Sequence, residues 1–123
     1  MAVNSCQKGK RGEREAVKYL KSLGFADAVR TQQYNGLRES DVICPESLPG
    51  VHIEVKFGGG RMDLGLSGLH KAVTQARRDS GGGSWVVLWK PMRQQWRLTW
   101  DAMGVVATVC GDEEIRTVLS MFV

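Results

Sequence analysis

Residues 51–57, VHIEVKF, combine charged and apolar side chains in a strand-like alternation. Because side chains alternate across an extended strand, His52, Glu54 and Lys56 share one face and the apolar residues share the other. A carboxylate beside an ammonium group can bind a metal ion and stabilise charge on a reacting phosphate. The same pair is also typical of a solvated strand face. The segment alone leaves both interpretations open.

A second carboxylate, Asp41, directly precedes another short apolar run, residues 42–44. Hard cations such as Mg²⁺ usually take one or two protein carboxylates together with substrate phosphate oxygens. Carboxylates on neighbouring strands joined by a short loop can converge on one ion, which would polarise a phosphodiester and supply a hydroxide nucleophile. We therefore predict Asp41 and Glu54 as metal ligands, with the backbone carbonyl of Val55 as a further ligand. Lys56 would orient the attacking water or offset charge on the phosphoryl oxygens.

The first helix, predicted over residues 12–23, offers a third carboxylate. Its apolar positions follow a helical period and define one buried arc: Ala16, Val17, Leu20 and Leu23. At about 100° per residue, Glu13 falls near the centre of that arc, whereas Glu15 falls on the opposite, solvated side. An inward carboxylate is costly unless it is paired or bound to metal, although in the first turn it also complements the helix dipole. We expect Glu13 to complete the carboxylate cluster, directly or through a water molecule.

The rest of the chain supplies the elements that must hold these residues. Apolar or alternating segments predict strands over residues 28–33, 41–44, 51–57, 85–89 and 96–100, the last two as an antiparallel hairpin. Helical patterns cover residues 66–79 and 112–121. The order α-β-β-β-α-β-β-α indicates an α/β fold with a mixed central sheet flanked by helices. We expect a flexible basic arm over residues 1–11 and a single domain over residues 12–123.

Composition and charge limit the class of protein. The 123 residues carry a formal net charge of +4, and the excess of Lys and Arg lies before residue 101. A basic arm is consistent with a phosphate-backbone partner, although such a charge is also common on surfaces that bind nothing. The three cysteines show no CxxC spacing, which favours reduced thiols in a cytoplasmic protein over a zinc cluster. No apolar run reaches the roughly 20 residues of a membrane span.

Asp41 followed by the EVK triplet at residues 54–56 resembles the PD-(D/E)XK nuclease signature, with Ser40 in place of its proline. Residues 8–25 contain KG, then GERE, then GF, and are similar to the first helix of archaeal-type Holliday-junction resolvases within that superfamily. The likeness continues along most of the chain, to about Trp100. The combination of these motifs is more specific than the EVK triplet by itself.

This resemblance implies a restriction-endonuclease-like core with an active-site quartet of Glu13, Asp41, Glu54 and Lys56. It implies Arg14 as a neighbouring basic residue and dependence on Mg²⁺, with Mn²⁺ as a plausible substitute. It further implies a homodimer that makes paired nicks across four-way DNA junctions. The sequence thus predicts a metal-dependent, structure-selective DNA endonuclease of the Holliday-junction resolvase type.

Two departures from that family leave the substrate open. Residues 33–39 resemble an insertion, and Gly58-Gly59-Gly60 followed by Arg61 resembles a loop of the small VRR-NUC nucleases. The alternative is therefore a VRR-NUC-like or other PD-(D/E)XK endonuclease that acts on flap or duplex DNA. A further alternative is a DNA-binding module that lacks catalysis.

Basic residues outside the quartet are candidate phosphate contacts, which position DNA without reading its sequence. They are Lys8, Lys10, Arg11, Arg14, Arg61, Arg77 and Arg78. His52 and His70 are isolated in the sequence, and we expect each to be a surface or edge residue rather than a metal ligand.

Overall fold

The computed structural model describes residues 5–31, 41–58, 66–91 and 93–122, with side chains from residue 11 in the first helix and from residue 68 in the second. Three helices and six strands lie in these ranges. In chain order they are α1 (Ser5–Ser22), β1 (Val29–Arg30), β2 (Val42–Ile43), β3 (His52–Phe57), α2 (Leu66–Asp79), β4 (Trp85–Lys90), β5 (Arg97–Ala102), β6 (Val105–Cys110) and α3 (Asp112–Ser120). None of the described helices is long and apolar enough to cross a membrane.

The strands form one mixed sheet in the order β1-β2-β3-β4-β5-β6. β3 and β4 are parallel and are connected through α2, because a parallel pair requires a crossover. The other neighbouring pairs are antiparallel. The predicted α/β fold with a mixed sheet flanked by helices is confirmed.

The two faces of the sheet are covered by different helices. The larger core joins α1 and α3 to Ile53 and Val55 of β3 and to neighbouring strands. The smaller core joins α2 to the opposite face of β4, through Ala72, Val73, Ala76, Trp85, Val87 and Trp89. Since β3 alternates, its remaining residues His52, Glu54 and Lys56 point to the face that carries α2.

α1 begins at Ser5 rather than at residue 12 as predicted, so residues 5–11 of the expected flexible arm are helical. Gly9 and Gly12 each cost about 1 kcal/mol relative to alanine inside a helix, which explains why the sequence pattern did not extend the helix to residues before Gly12. Gly12 has a structural reason to be there. A Cβ at this position would lie 2.6 Å from the Cβ of Phe57. A glycine therefore allows α1 to approach the end of β3 closely.

β6 was not predicted from the sequence. Ala102 pairs with Val105 across a two-residue turn formed by Met103 and Gly104, whose φ angles are 56° and 90°. Positive φ at both central positions suits a tight antiparallel hairpin. Methionine seldom adopts this conformation, so the dipeptide is not recognisable as a turn signal.

Candidate functional site

His52 and Glu54 are polar residues that β3 buries between the sheet and α2. Their exposed fractions are 6% and 2%. In the parallel register with β4, the polar residues of β3 lie beside apolar ones: His52 beside Trp85, Glu54 beside Val87 and Lys56 beside Trp89. A buried carboxylate is costly unless it is hydrogen-bonded, paired with a charge or bound to a metal. Burial of apolar surface therefore does not explain why a glutamate occupies position 54.

Asp41 lies against the same part of β3, where β2 begins. The Asp41 N–H donates to the Ile53 carbonyl at 3.1 Å, and the Val55 N–H donates to Asp41 Oδ2 at 2.9 Å. Both β3 groups point toward the β2 side, so the regular alternation of the backbone turns the Val55 carbonyl to that side as well. Asp41 and the Val55 carbonyl therefore share one edge of β3.

The Asp41 carboxyl group holds its proton strongly. Burial raises its pKa to about 7, together with the negative charge of Glu54 and, to a smaller extent, that of Glu13. The hydrogen bond from Val55 acts in the opposite direction but does not offset these causes. Because charge interactions weaken with distance, the effect indicates that Glu54 and, less strongly, Glu13 lie near Asp41. Among the described residues, the acidic and histidine side chains whose ligand atoms all lie within 4.8 Å of one another are instead His52, Glu54 and Asp79. A cation placed beside Asp41 and Glu54 would favour their ionised forms.

Glu13 approaches Asp41 from α1. Its side chain is 12% exposed, and its Oε1 accepts a hydrogen bond from Arg30 Nε at 3.1 Å. The inward orientation agrees with the helix geometry derived from the sequence. Arg30 was not singled out, because its role depends on β1 lying beside α1, and no local pattern around Arg30 signals that contact.

Positive charge collects where β3 and β4 end. Lys56 is half-buried on the α2 face of β3. The Lys90 ammonium and the Arg11 guanidinium each lie 5.8 Å from the centroid of the Phe57 ring, and Arg14 is exposed on α1. Lys90 was missed in the sequence, although its signal exists: the aligned ends of a parallel strand pair meet at one edge of the sheet.

Arg77 and Arg78 lie away from that edge, at the end of α2. The Arg77 guanidinium is 5.5 Å from the ring centroid of Trp85, which is the first residue of β4 and pairs with His52. The two ends of β3 are roughly 17 Å apart, at about 3.3 Å per residue. Arg77 therefore lies at the His52 end of β3, whereas Arg78 Nε contacts Asp79 Oδ1 at 3.2 Å, and the Asp79 carboxylate lies within 4.8 Å of that of Glu54. Other predicted contacts have side chains outside the described residues: Lys8, Lys10 and Arg61.

The expectation that His52 is a surface or edge residue is wrong. Its Nε2 lies 3.0 Å from Glu54 Oε1, and both side chains are buried beneath α2. Asp79, at the end of α2, joins them in a group whose candidate ligand atoms all lie within 4.8 Å of one another. The strand alternation placed His52 on the same face as Glu54, but nothing in the sequence near His52 signals that α2 covers this face, so its burial was missed. His70 is exposed, as expected.

The oxygen donors that the sequence predicted near β3 are of the chemical type that a hard divalent cation prefers. Asp41, Glu54 and Glu13 offer carboxylate oxygens, and Val55 offers a backbone carbonyl. Such an all-oxygen set suits Mg²⁺ or Mn²⁺ rather than a softer metal.

No protein-family model and no curated protein matches the chain. Among solved structures, it is similar to Hjc, a Holliday junction resolvase from the archaeal hyperthermophile Archaeoglobus fulgidus. The sequence identity is 23% and the TM-score is 0.42, over 88% of this chain and 89% of that chain. A likeness at this level assigns no activity, so function has to be argued from the residues of the site.

Proposed function

We propose that the chain is a divalent-metal-dependent DNA endonuclease in which Asp41 and Glu54 are the principal metal ligands. The observation that carries the proposal is the buried Glu54 beside Asp41 on neighbouring strands, where burial and the negative charge of Glu54 raise the pKa of Asp41 to about 7, with a smaller effect from Glu13. Buried like charges such as Asp41 and Glu54 oppose each other's ionisation, and a bound cation would favour the ionised form of both. The sequence resemblance to PD-(D/E)XK nucleases supports the same assignment.

Each acidic residue is held by a specific contact. The Val55 N–H fixes Asp41 through a 2.9 Å hydrogen bond to Oδ2, and the Asp41 carboxyl group also lies within hydrogen-bonding reach of Glu54. Arg30 fixes Glu13, so that Glu13 completes the donor set directly or through a water molecule. The Val55 carbonyl adds a neutral oxygen. Bound Mg²⁺, or Mn²⁺ in its place, polarises a phosphodiester and makes a water molecule more acidic.

Lys56 provides the positive charge that the reaction needs beside the carboxylates. It is half-buried, two residues beyond Glu54 on the same face of β3. An ammonium group in such a partly water-excluded place stabilises charge that develops on phosphoryl oxygens, or orients the attacking water. We therefore assign Glu13, Asp41, Glu54 and Lys56 as the catalytic quartet.

We further propose branched DNA, most specifically a four-way junction, as the substrate. Arg11, Arg14 and Lys90 would contact phosphates near the site. Arg77, beside Trp85 at the opposite end of β3, would contact DNA that extends across the sheet, as an arm of a junction does, and Arg78, bonded to Asp79, would contact phosphates closer to Glu54. A homodimer is the natural acting form, since paired nicks in two strands require two active sites.

The experiment compares cleavage of a four-way junction, a flap and a linear duplex at equal salt, with Mg²⁺ present. The parent should cut the junction fastest and produce symmetrically paired nicks, and Asp41→Asn and Glu54→Gln should yield no product. Faster cleavage of the flap or duplex would favour the VRR-NUC-like alternative. Salt-sensitive DNA binding without any Mg²⁺-dependent product would identify a non-catalytic binding module.

A further inference from the structure

His52 Nε2 lies 3.0 Å from Glu54 Oε1. A carboxylate that binds a metal is ionised and can only accept hydrogen bonds, so with Glu54 as a metal ligand His52 Nε2 would be the donor of this contact. The donor and the acceptor are both more than nine-tenths buried, which shields the bond from water and strengthens it. Glu54 Oε1 is thereby held in one place.

The hydrogen bond matters because Glu54 stands between two groups. On one side its carboxylate lies close enough to Asp41 to share a hydrogen bond with it when one of the two is protonated. On the other side it meets His52 and, within 4.8 Å, Asp79. Without a donor from His52, the carboxylate could rotate about its terminal bond, which has a broad torsional minimum. The Glu54 oxygen that faces Asp41 would then be poorly defined.

Packing alone gives no reason for a histidine at this position. Its neighbour in register on β4 is Trp85, an apolar residue of the α2 core, and a residue of similar type would fill the same space. Histidine differs from such a residue because its ring nitrogen Nε2 lies within hydrogen-bonding distance of Glu54 Oε1. Hydrogen-bond partners that orient a metal-binding carboxylate typically change metal affinity or activity by about 10–100-fold when they are removed.

We propose that His52 is a positioning residue, which orients the Glu54 carboxylate for divalent-metal binding through its Nε2–H while making no contact with the metal or the DNA. The inference rests on the proposed function, because it takes Glu54 to be a metal ligand. Asp79 lies within 4.8 Å of both His52 and Glu54, so the test includes a variant of Asp79 to distinguish a positioning role of His52 from metal binding by the three residues together.

The test uses amide side chains that mimic one ring nitrogen each. Glutamine places its side-chain NH₂ near the position of Nε2, whereas asparagine places it near Nδ1. Binding of Mn²⁺ to the full chain without DNA is measured by electron paramagnetic resonance for the parent, His52→Gln, His52→Asn and His52→Phe. The concentration of Mn²⁺ that half-saturates junction cleavage is then measured for the same proteins.

We expect His52→Asn and His52→Phe to weaken Mn²⁺ binding by about 10–100-fold, and His52→Gln to stay within roughly threefold of the parent. The half-saturating Mn²⁺ concentration should shift in parallel, with little change in the cleavage rate at saturating metal. Thermal unfolding without metal identifies any variant that fails to fold. If His52→Phe does not fold, comparing the Mn²⁺ affinities of His52→Gln and His52→Asn is sufficient for the test.

Equal Mn²⁺ affinity in all four proteins would overturn the positioning role while leaving the nuclease proposal intact. A second outcome would also overturn it: the parent binds two Mn²⁺ ions, whereas the His52 variants and Asp79→Asn each bind one. His52 would then be a metal ligand rather than a positioning residue. A parent that binds no Mn²⁺ and cuts no DNA would overturn both proposals together.

Discussion

β3 and β4 are parallel neighbours of six residues each, yet they face α2 with opposite chemistry. β4 presents Trp85, Val87 and Trp89, which pack against α2. β3 presents His52, Glu54 and Lys56 in the same register. Sheet strands covered on both faces are normally apolar throughout, and β4 follows this rule. β3 departs from it at each residue of one face.

The difference separates a strand that serves stability from one that serves chemistry. Burying the β4 side chains contributes free energy of folding directly. Burying Glu54 next to Asp41 instead costs free energy, which its hydrogen bonds offset only in part. Substitutions in the two strands should therefore affect stability and activity in opposite ways.

The largest expected effect comes from a matched pair of substitutions, Glu54→Gln in β3 and Val87→Ala beside it in β4. Glu54→Gln should lower the cleavage rate on the order of a thousandfold, because loss of a metal ligand removes several kcal/mol of transition-state stabilisation. It should not lower the free energy of unfolding, since a buried charge is removed. Val87→Ala should cost about 2 kcal/mol of stability and leave cleavage below its melting temperature nearly unchanged. Rates on a labelled junction and urea unfolding measure both.

A contradictory result would be a Glu54→Gln protein that cuts like the parent. An equal loss of activity in both variants would also contradict the comparison, since β3 would then differ from β4 in nothing but polarity.

Lys56 and Lys90 offer the next comparison, since one cation lies beside the carboxylates and the other ends β4. Lys56→Met should reduce the cleavage rate at saturating Mg²⁺ by about 100-fold, as loss of one preorganised charge at a reacting phosphate does. Lys90→Met should weaken DNA binding modestly and leave the saturated rate intact. Single-turnover kinetics separate rate from binding. Similar rate defects in both variants would remove Lys56 from its catalytic assignment.

The raised pKa of Asp41 predicts that the stability of the protein falls as pH rises. That pKa is about 7 in the folded protein, above its ordinary value of 3.8, so the folded state holds the proton more tightly. Without metal, the free energy of unfolding should fall as pH rises from about 4 to about 7, by at most about 4 kcal/mol at about 1.4 kcal/mol per pKa unit. Mg²⁺ should restore stability more at pH 8 than at pH 5, where protons compete for the ligands.

Urea unfolding at both pH values, with and without Mg²⁺, measures this effect. Asp41→Asn is the matched control, because its amide does not titrate and its stability should vary less over the same interval. Stability that rises between pH 4 and pH 7 in the parent alone would place the Asp41 charge in a favourable environment and contradict the clustered carboxylates.

The smallest expected effect compares basic residues at the two ends of β3. Arg11→Ala should remove about one phosphate contact and so lower the slope of log binding constant against log salt concentration by about one. Arg11 lies by Phe57, near the carboxylates. Arg77→Ala should change the slope less, because Arg77 lies by Trp85 at the other end. Binding titrations at several salt concentrations with a short junction provide the slopes. A larger change for Arg77 would move the DNA path toward α2.

Local sequence patterns were sufficient for several features of the structure. The inward direction of Glu13 follows from the helical period, and the approach of Asp41 to Glu54 follows from two strands joined by a short loop. The order of the helices and of five strands was predicted for the same reason, since each pattern lies within one segment of the chain.

Other features depend on contacts between distant segments, or on a backbone conformation that the residue types do not signal. His52 becomes a partner of Glu54 because α2 covers that face of β3, and Arg30 meets Glu13 because β1 lies beside α1. The early start of α1 was hidden by Gly12, whose lack of a side chain is explained only by Phe57 in β3. β6 was hidden by the positive φ of Met103.

The most direct test of the central claim is a cleavage gel of a labelled four-way junction incubated with the purified parent chain. The account predicts no product in chelator, paired nicks when Mg²⁺ is added in excess, and no product with Asp41→Asn under either condition. Equal cleavage in chelator and in Mg²⁺, or cleavage by Asp41→Asn at the parental rate, would contradict a metal centre at the edge of β3.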